Sequence, residues 1–216
     1  MEVVECLVDY GEQVVGPVTL LVGWGEAVAL VGPSGSGKTT IFRLLRGEVR
    51  PASGRAGLCG EELGRLPARK RSAFLRRNVS GVDQQPLLLP ELDVLENVAL
   101  PLLLDDVKNR DALDQARLAL QEVALGEFVD RDLQTLSGGQ LQRVALARAL
   151  VRPVGVVLAD EPTASLDRSN ADHVAQLLID QVRSNPNRAL LLATHDLAVA
   201  CRCDRVVDLA QIGPRR

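Results

Sequence analysis

The segment Ala27-Val-Ala-Leu-Val-Gly-Pro-Ser-Gly-Ser-Gly-Lys-Thr-Thr40 decides the fold. Its first five residues are a continuous apolar run of strand length, Gly32 to Thr39 fit the spacing G-x-x-x-x-G-K-[ST], and a helical stretch over 38–46 follows. Strand, glycine-rich loop and helix in that order are the context this spacing needs before it carries meaning. Gly35 and Gly37 let the backbone bend until its N–H groups point at one spot, and the helix N-terminus adds positive potential there. Lys38 then reaches towards β- and γ-phosphates, and Thr39 offers a hydroxyl to Mg²⁺. The chemistry implied is binding of a nucleoside triphosphate, with Gly32, Pro33, Ser34, Gly35, Ser36, Gly37, Lys38, Thr39 and Thr40 around its phosphates.

Outward from this segment, apolar runs recur at Val154 to Ala159, Ala189 to Ala193 and Val206-Val207. They do not alternate with polar residues, so they read as strands covered on both faces, as in a parallel sheet. Helical stretches over 138–151, 169–183 and 196–202 follow them, which makes βα units. The first 22 residues differ: Val3 to Tyr10 and Val14 to Val22, joined by Gly11-Glu-Gln13, read as an antiparallel strand pair at the edge of that core. Between 92 and 136 the spacing turns helical, through Leu92, Leu95, Val98 and Ala99, then Leu113, Ala116, Leu120 and Val123. The expectation is an α/β fold: a P-loop NTPase (RecA-like) core with an antiparallel β edge subdomain and an inserted α-helical subdomain. Residues 1–216 form one domain, with a core lobe at about 1–83 and 152–216 and a helical lobe at about 84–151. No internal repeat or low-complexity tract interrupts it.

Composition narrows the function. The chain has 216 residues, 46% of them hydrophobic, which excludes disorder and supplies an ample aliphatic core. A net charge of −3, with one Trp, one Tyr and three Phe, offers neither attraction nor stacking surface to nucleic acid, and no basic patch stands out. The most apolar stretch, Pro17 to Pro33, is broken by Gly23, Gly25 and Glu26, so no membrane span is expected. The N-terminus reads as a strand and not as a signal peptide, which places the chain in the cytoplasm. Cys6, Cys59, Cys201 and Cys203 lack metal-ligand spacing and read as small buried hydrophobes.

Two further features suggest chemistry. Asp160 ends a buried strand, on the sheet edge where open α/β folds bind ligands, and is the expected second Mg²⁺ anchor. Glu161 follows and points elsewhere, so it can face an attacking water as general base. Ser137-Gly-Gly-Gln140 reads as a capping box whose two glycines let an anion approach the helix start. A second phosphate-seeking end and an ordinary helix start fit that reading equally well.

Leu136-Ser-Gly-Gly-Gln140, followed by Leu-Gln-Arg-Val-Ala-Leu-Ala-Arg-Ala-Leu150, resembles the signature of ATP-binding-cassette (ABC) ATPases. The resemblance spans nearly the whole chain in the family's order: phosphate loop, glutamine loop (Gln84), signature, metal strand (Asp160-Glu161), aspartate loop (Ser165-Leu-Asp167) and histidine switch (Thr194-His195-Asp196). It implies that Lys38, Gln84, Glu161 and His195 serve hydrolysis, that Thr39, Gln84 and Asp160 hold Mg²⁺, and that Tyr10 stacks on adenine, with Trp24 the alternative. Gln85 is the alternative to Gln84. It further implies ATP bound between two chains paired head to tail, with Ser137, Gly138, Gly139 and Gln140 of each completing the other's site. His173 matches no motif. Asp83 departs from the family, which usually carries Phe there, and the short end, Leu209 to Arg216, leaves no appended regulatory domain expected.

The resemblance extends to work. In such proteins a short helix of a separate membrane-spanning subunit inserts beside the glutamine loop, where Pro86-Leu-Leu-Leu-Pro90 offers three leucines. Glu96-Asn-Val-Ala-Leu-Pro-Leu102 is most similar to the group serving lipoprotein release, macrolide and peptide export, and cell division. The expected function is an ATP-hydrolysing homodimer, peripheral on the cytoplasmic face of the membrane, powering an exporter or, in the cell-division manner, a mechanical signal lever. Soluble relatives in DNA repair or translation fit less well, because this chain has one contiguous cassette.

Overall fold

The computed structural model describes residues 1–11, 13–164 and 166–211. Glu12 in the expected first turn, Ser165 of the aspartate loop and 212–216 at the chain's end lie outside the described residues. The elements in order are β1 (Glu2–Asp9), β2 (Val14–Leu21), β3 (Ala27–Val31), α1 (Lys38–Leu45), β4 (Ser53–Leu58), β5 (Glu61–Glu62), α2 (Ala68–Asn78), β6 (Val79–Val82), α3 (Val94–Leu103), α4 (Asn109–Glu122), α5 (Gly138–Leu150), β7 (Val156–Asp160), α6 (Arg168–Arg183), β8 (Ala189–Ala193), α7 (Leu197–Ala200) and β9 (Arg205–Asp208).

The chain divides into two compact units, one of Met1–Ser80, Val154–Glu161 and Ile179–Arg216, the other of Gly81–Pro153 and Pro162–Leu178. Residues 162–178 thus fall with the helical unit and not, as the sequence suggests, with the core lobe.

In the first unit β3 and β8 are buried along their whole length, as their unbroken apolar runs require. They pair in parallel with each other, β8 with β7 and β3 with β9, in a five-stranded sheet of order β6-β7-β8-β3-β9. Leu30 of β3 and Asp160 of β7 both stand opposite Ala193 of β8, so three strands finish at one level. The antiparallel edge is larger than a strand pair: β2, β1, β4 and β5 form a four-stranded sheet in that order. Strand β4 was illegible because Ser53, Gly54 and Arg55 are exposed and only Ala56, Gly57 and Leu58 are buried. Val3, Cys6, Val8, Val18 and Leu20 of this sheet share one core with Leu30, Ile41, Phe42, Leu45, Leu158 and Leu191. Each fully buried Leu, Ile or Phe there contributes about 1.5–3 kcal/mol of transfer free energy.

Helix α2 was also unforeseen. It buries no residue fully, and only Phe74 and Leu75 pack on the core, too little apolar surface to register as a helical stripe. It carries Arg69, Lys70, Arg71, Arg76 and Arg77 with no acid, a local positive charge that the whole-chain balance of −3 conceals, so the expectation of no basic patch is corrected.

The second unit is built on α3, α4 and α5, which pack on one another. Helix α3 buries Val94, Leu95, Val98, Ala99 and Leu102, and α4 buries Ala112, Ala116, Ala119 and Leu120, both at helical spacing. A capping box starts α3: Asp93 Oδ1 accepts from the Glu96 N–H at 2.7 Å, and Glu96 Oε2 from the Asp93 N–H at 3.1 Å. Among the described residues no helix is long and apolar enough to cross a membrane.

Candidate nucleotide site

The loop between β3 and α1 is shaped by three glycines at positive φ, Gly32 (+153°), Gly35 (+77°) and Gly37 (+98°). At Gly37 a Cβ would stand 2.5 Å from Val15 Cγ1, so any other residue would force a shift as well as adopt a left-handed φ. Gly37 also caps α1 without a side-chain bond, which leaves the first helical turn open to an anion. The Ser36 Oγ is buried with no hydrogen-bond partner among the described residues, as a hydroxyl kept for a bound group would be. Lys38 Nζ folds over the loop and donates to the Gly32 carbonyl at 2.6 Å and the Pro33 carbonyl at 3.3 Å, a posture from which it can swing to phosphate. Thr39 is exposed and Thr40 buried. A cleft of about 380 Å³ opens beside the loop, lined in part by Val14, Val15, Pro33, Gly35 and Ser36. Tyr10, 43% exposed, lies just past β1 with its hydroxyl 3.5 Å from Thr40 Oγ1. The indole of Trp24 instead packs by the backbone of Gly155, where a Cβ would meet the ring at 3.1 Å.

Asp160 ends β7, half-buried, and Glu161 follows at φ +48°, a left-handed turn unusual for a residue with a Cβ. Its N–H donates to the Ala193 carbonyl at 2.9 Å, which holds the turn. Glu161 is largely enclosed, and its Oε2 lies 2.8 Å from Nδ1 of His195 and 3.3 Å from the His195 N–H. The imidazole itself is 70% exposed. Thr194, fully buried, accepts from the Asp196 N–H at 3.0 Å, and Asp196 caps α7 through Ala198 and Val199. The first unit thus gathers Tyr10, the phosphate loop, Asp160, Glu161 and His195.

The second unit holds the other predicted residues. The capping box at Ser137 is formed as read: Ser137 Oγ accepts from the Gln140 N–H at 3.3 Å, and Gln140 Oε1 from the Ser137 N–H at 2.8 Å. Gln140 therefore spends its carbonyl oxygen on the helix start. Ser137 and Gly138 are exposed, and a Cβ at Gly138 would meet nothing within 4 Å, so no side chain crowds the first residue of α5. Asp167 accepts from the N–H and side-chain amide of Asn170, bonds that hold its carboxyl below the usual range. Gln84 and Gln85 are both exposed, and His173 is exposed on α6. Sequence reasoning missed Gln142, Asn97 and Arg148, which hold the glutamine loop; the available signal was a polar residue at core-facing positions of α5 and α3.

A phosphate-binding loop leading from a parallel strand into a helix, with carboxylates at the end of a neighbouring strand, defines a P-loop nucleoside triphosphatase. The chain belongs to the ABC transporter family, whose model matches residues 15–164. It is 41% identical over 192 residues to the ABC transporter ATP-binding protein YbbA of Escherichia coli K12, covering 89% of this chain and 84% of that one. To the lipoprotein-releasing system ATP-binding protein LolD of Cereibacter sphaeroides it is 44% identical over 191 residues, 88% and 85% of the two chains. The dimeric, post-hydrolysis structure of the ATP-binding cassette MJ0796 bound to ADP and Pi superposes with a TM-score of 0.86 at 30% identity, covering 96% of this chain and 93% of that one. Membership brings the cassette fold and ATP hydrolase activity.

Proposed function

We propose that the whole of 1–216 acts as one cassette that closes head to tail with a second copy on binding ATP, and that the cycle of closure and hydrolysis drives a separate membrane-spanning subunit. The observation that carries this reading is the presence of two glycine-lined helix starts in one chain, at Gly37, which has no side-chain cap, and at Ser137-Gly138, where Gly138 is exposed and uncrowded. One cradle binds a triphosphate alone; the second is explained if it caps the nucleotide held by the other copy. Two ATP molecules would then join two chains, and cleavage of the terminal phosphate would remove the joint.

Within each site Lys38 and the loop N–H groups bind the phosphates, Tyr10 packs on adenine, and Glu161 takes the proton of the attacking water, held in place by His195. Gln84 orients that water. Thr39 and Asp160, with Gln84, suit Mg²⁺, since all are hard oxygen donors and the substrate's own phosphates would supply the remaining ligands. When bound, the ion draws charge off the phosphate oxygens.

Leu87 and Leu89 are 67% and 42% exposed in the loop after Gln84, an apolar surface suited to a helix of the membrane subunit. Such docking would place the chain peripherally on the cytoplasmic face. The similarity to LolD favours an exporter or a mechanically coupled complex.

A Ser137→Arg variant tests the composite site. It should bind ATP as a monomer with unchanged affinity and lose hydrolysis; hydrolysis at the rate of the parent chain would sink the proposal.

A further inference from the structure

Three polar side chains lie in the helical unit where the apolar pattern would place hydrophobes. Gln142 of α5 and Asn97 of α3 have no exposed surface. Arg148 of α5 is half-buried, and desolvation, opposed by the charge of Asp83, depresses its pKa. All three face one irregular segment. Gln142 Nε2 donates to the Asp83 carbonyl at 3.0 Å, and Arg148 donates to the Leu87 carbonyl at 2.6 Å. Asn97 accepts from the Leu89 N–H at 2.9 Å and donates to the carbonyls of Leu89, Leu92 and Asp93 at 2.9–3.0 Å. A loop has no ladder to satisfy its backbone, so these side chains supply one, at 83, 87 and 89. Gln84 and Gln85 are left exposed between the first two pins.

The pins are not equal. Asn97 is fully paired, as a purely structural clamp should be. Gln142 is not: its Oε1 is buried without a partner among the described residues. A side chain kept only for stability would not leave a buried acceptor unpaired, because an apolar residue of the same shape would avoid that cost.

We propose that Gln142 is a positioning residue for Gln84: by holding the Asp83 carbonyl it fixes the peptide from which the Gln84 side chain departs, and so the place of its amide in the hydrolytic step. This rests on the reading of Gln84 as the glutamine of that site. Gln142 lies two residues beyond Gln140 on α5, the helix that begins at Ser137. The glutamine loop and the Ser137 helix start are therefore tied to one rigid element, and a displacement of either is carried to the other.

The test uses steady-state ATPase kinetics and thermal melting of the full chain. Gln142→Met keeps the length and removes the amide. It should melt no earlier than the parent, keep KM for ATP within about twofold, and lower kcat roughly 10- to 100-fold, the scale of a small misplacement near the chemistry. In a double-mutant cycle, Gln84→Ala with Gln142→Met should be no slower than Gln84→Ala alone, since the second residue acts only through the first. If Gln142→Met fails to fold, Gln142→Glu replaces it. Its carboxyl can donate to Asp83 only when protonated, and burial raises the pKa of a carboxyl, so its kcat relative to the parent should climb as pH falls. A parental kcat in Gln142→Met, costs that multiply in the double variant, or a flat pH ratio in Gln142→Glu overturns the positioning role. A Gln84→Ala variant with parental turnover overturns instead the assignment of Gln84, whatever Gln142→Met does.

Discussion

Glu161 and His195 meet across the ends of neighbouring strands, Oε2 to Nδ1 at 2.8 Å, one side chain largely enclosed and the other 70% exposed. The enclosed carboxylate is held by the exposed imidazole, and by the His195 N–H at 3.3 Å, so in the role of general base proposed for Glu161 a solvent-facing residue helps set where it points. Replacing His195 by Ala should leave ATP binding intact, because the phosphate loop is untouched, and lower turnover by about 10²-fold or more, the scale of a general base out of place. Single-turnover hydrolysis beside a nucleotide titration checks this. A parental single-turnover rate would mean that Glu161 needs no such partner.

The glycines of the phosphate loop differ in what they tolerate. Gly35→Ala meets no atom within 4 Å and strains only its φ of +77°, a cost of about 1–2 kcal/mol. Gly37→Ala adds a contact of 2.5 Å with Val15 at φ +98°. Nucleotide affinity should therefore fall further in Gly37→Ala than in Gly35→Ala, as measured by isothermal titration. The reverse ranking would show that the loop reshapes on binding.

Tyr10 and Trp24 are both half-exposed, but Trp24 packs by Gly155 while Tyr10 stands over the start of α1. Tyr10→Ala should weaken ATP by about 1–3 kcal/mol, the range for a base stacked on an aromatic ring, and Trp24→Ala should not change it. Titration with ATP and with inorganic triphosphate separates adenine stacking from damage to the phosphate cradle, since only the first should respond.

The four cysteines do not share one environment. Cys6 is buried, Cys201 is exposed, and Cys59 and Cys203 are intermediate, so the reading of all four as buried hydrophobes is corrected. Burial, with Asp204 adding to it and Arg183 opposing it, pushes the Cys203 thiol up to about 11. A raised thiol pKa leaves almost no thiolate at pH 8, so Cys203 should resist alkylation while Cys201 reacts, as read by peptide mass spectrometry. Equal labelling would show that the segment 201–203 opens readily.

The sequence made the parallel core legible because β3 and β8 are short, wholly apolar runs, and the loop at 32–39 fixes what stands at their ends. The box at Ser137 was legible for the same reason: its bonds are local, between residues three apart. What escaped was non-local. Strand β4 is half polar and exists by pairing with β1 far back in the chain, Glu2 opposite Gly57 and Leu7 opposite Ser53. The Glu161–His195 contact joins residues 34 apart, and the bond from Gln142 to Asp83 spans 59. No spacing rule reads such pairs, because register between strands and packing between helices are set by the whole fold.

The measurement that bears most directly on the central claim is light scattering of purified Glu161→Gln with and without ATP and Mg²⁺. The amide keeps the size of the side chain and cannot take a proton, so ATP should bind, persist and hold two chains together. A doubling of mass on adding ATP, absent when Lys38→Ala is introduced as well, is the predicted result; a monomer at saturating ATP would contradict the account.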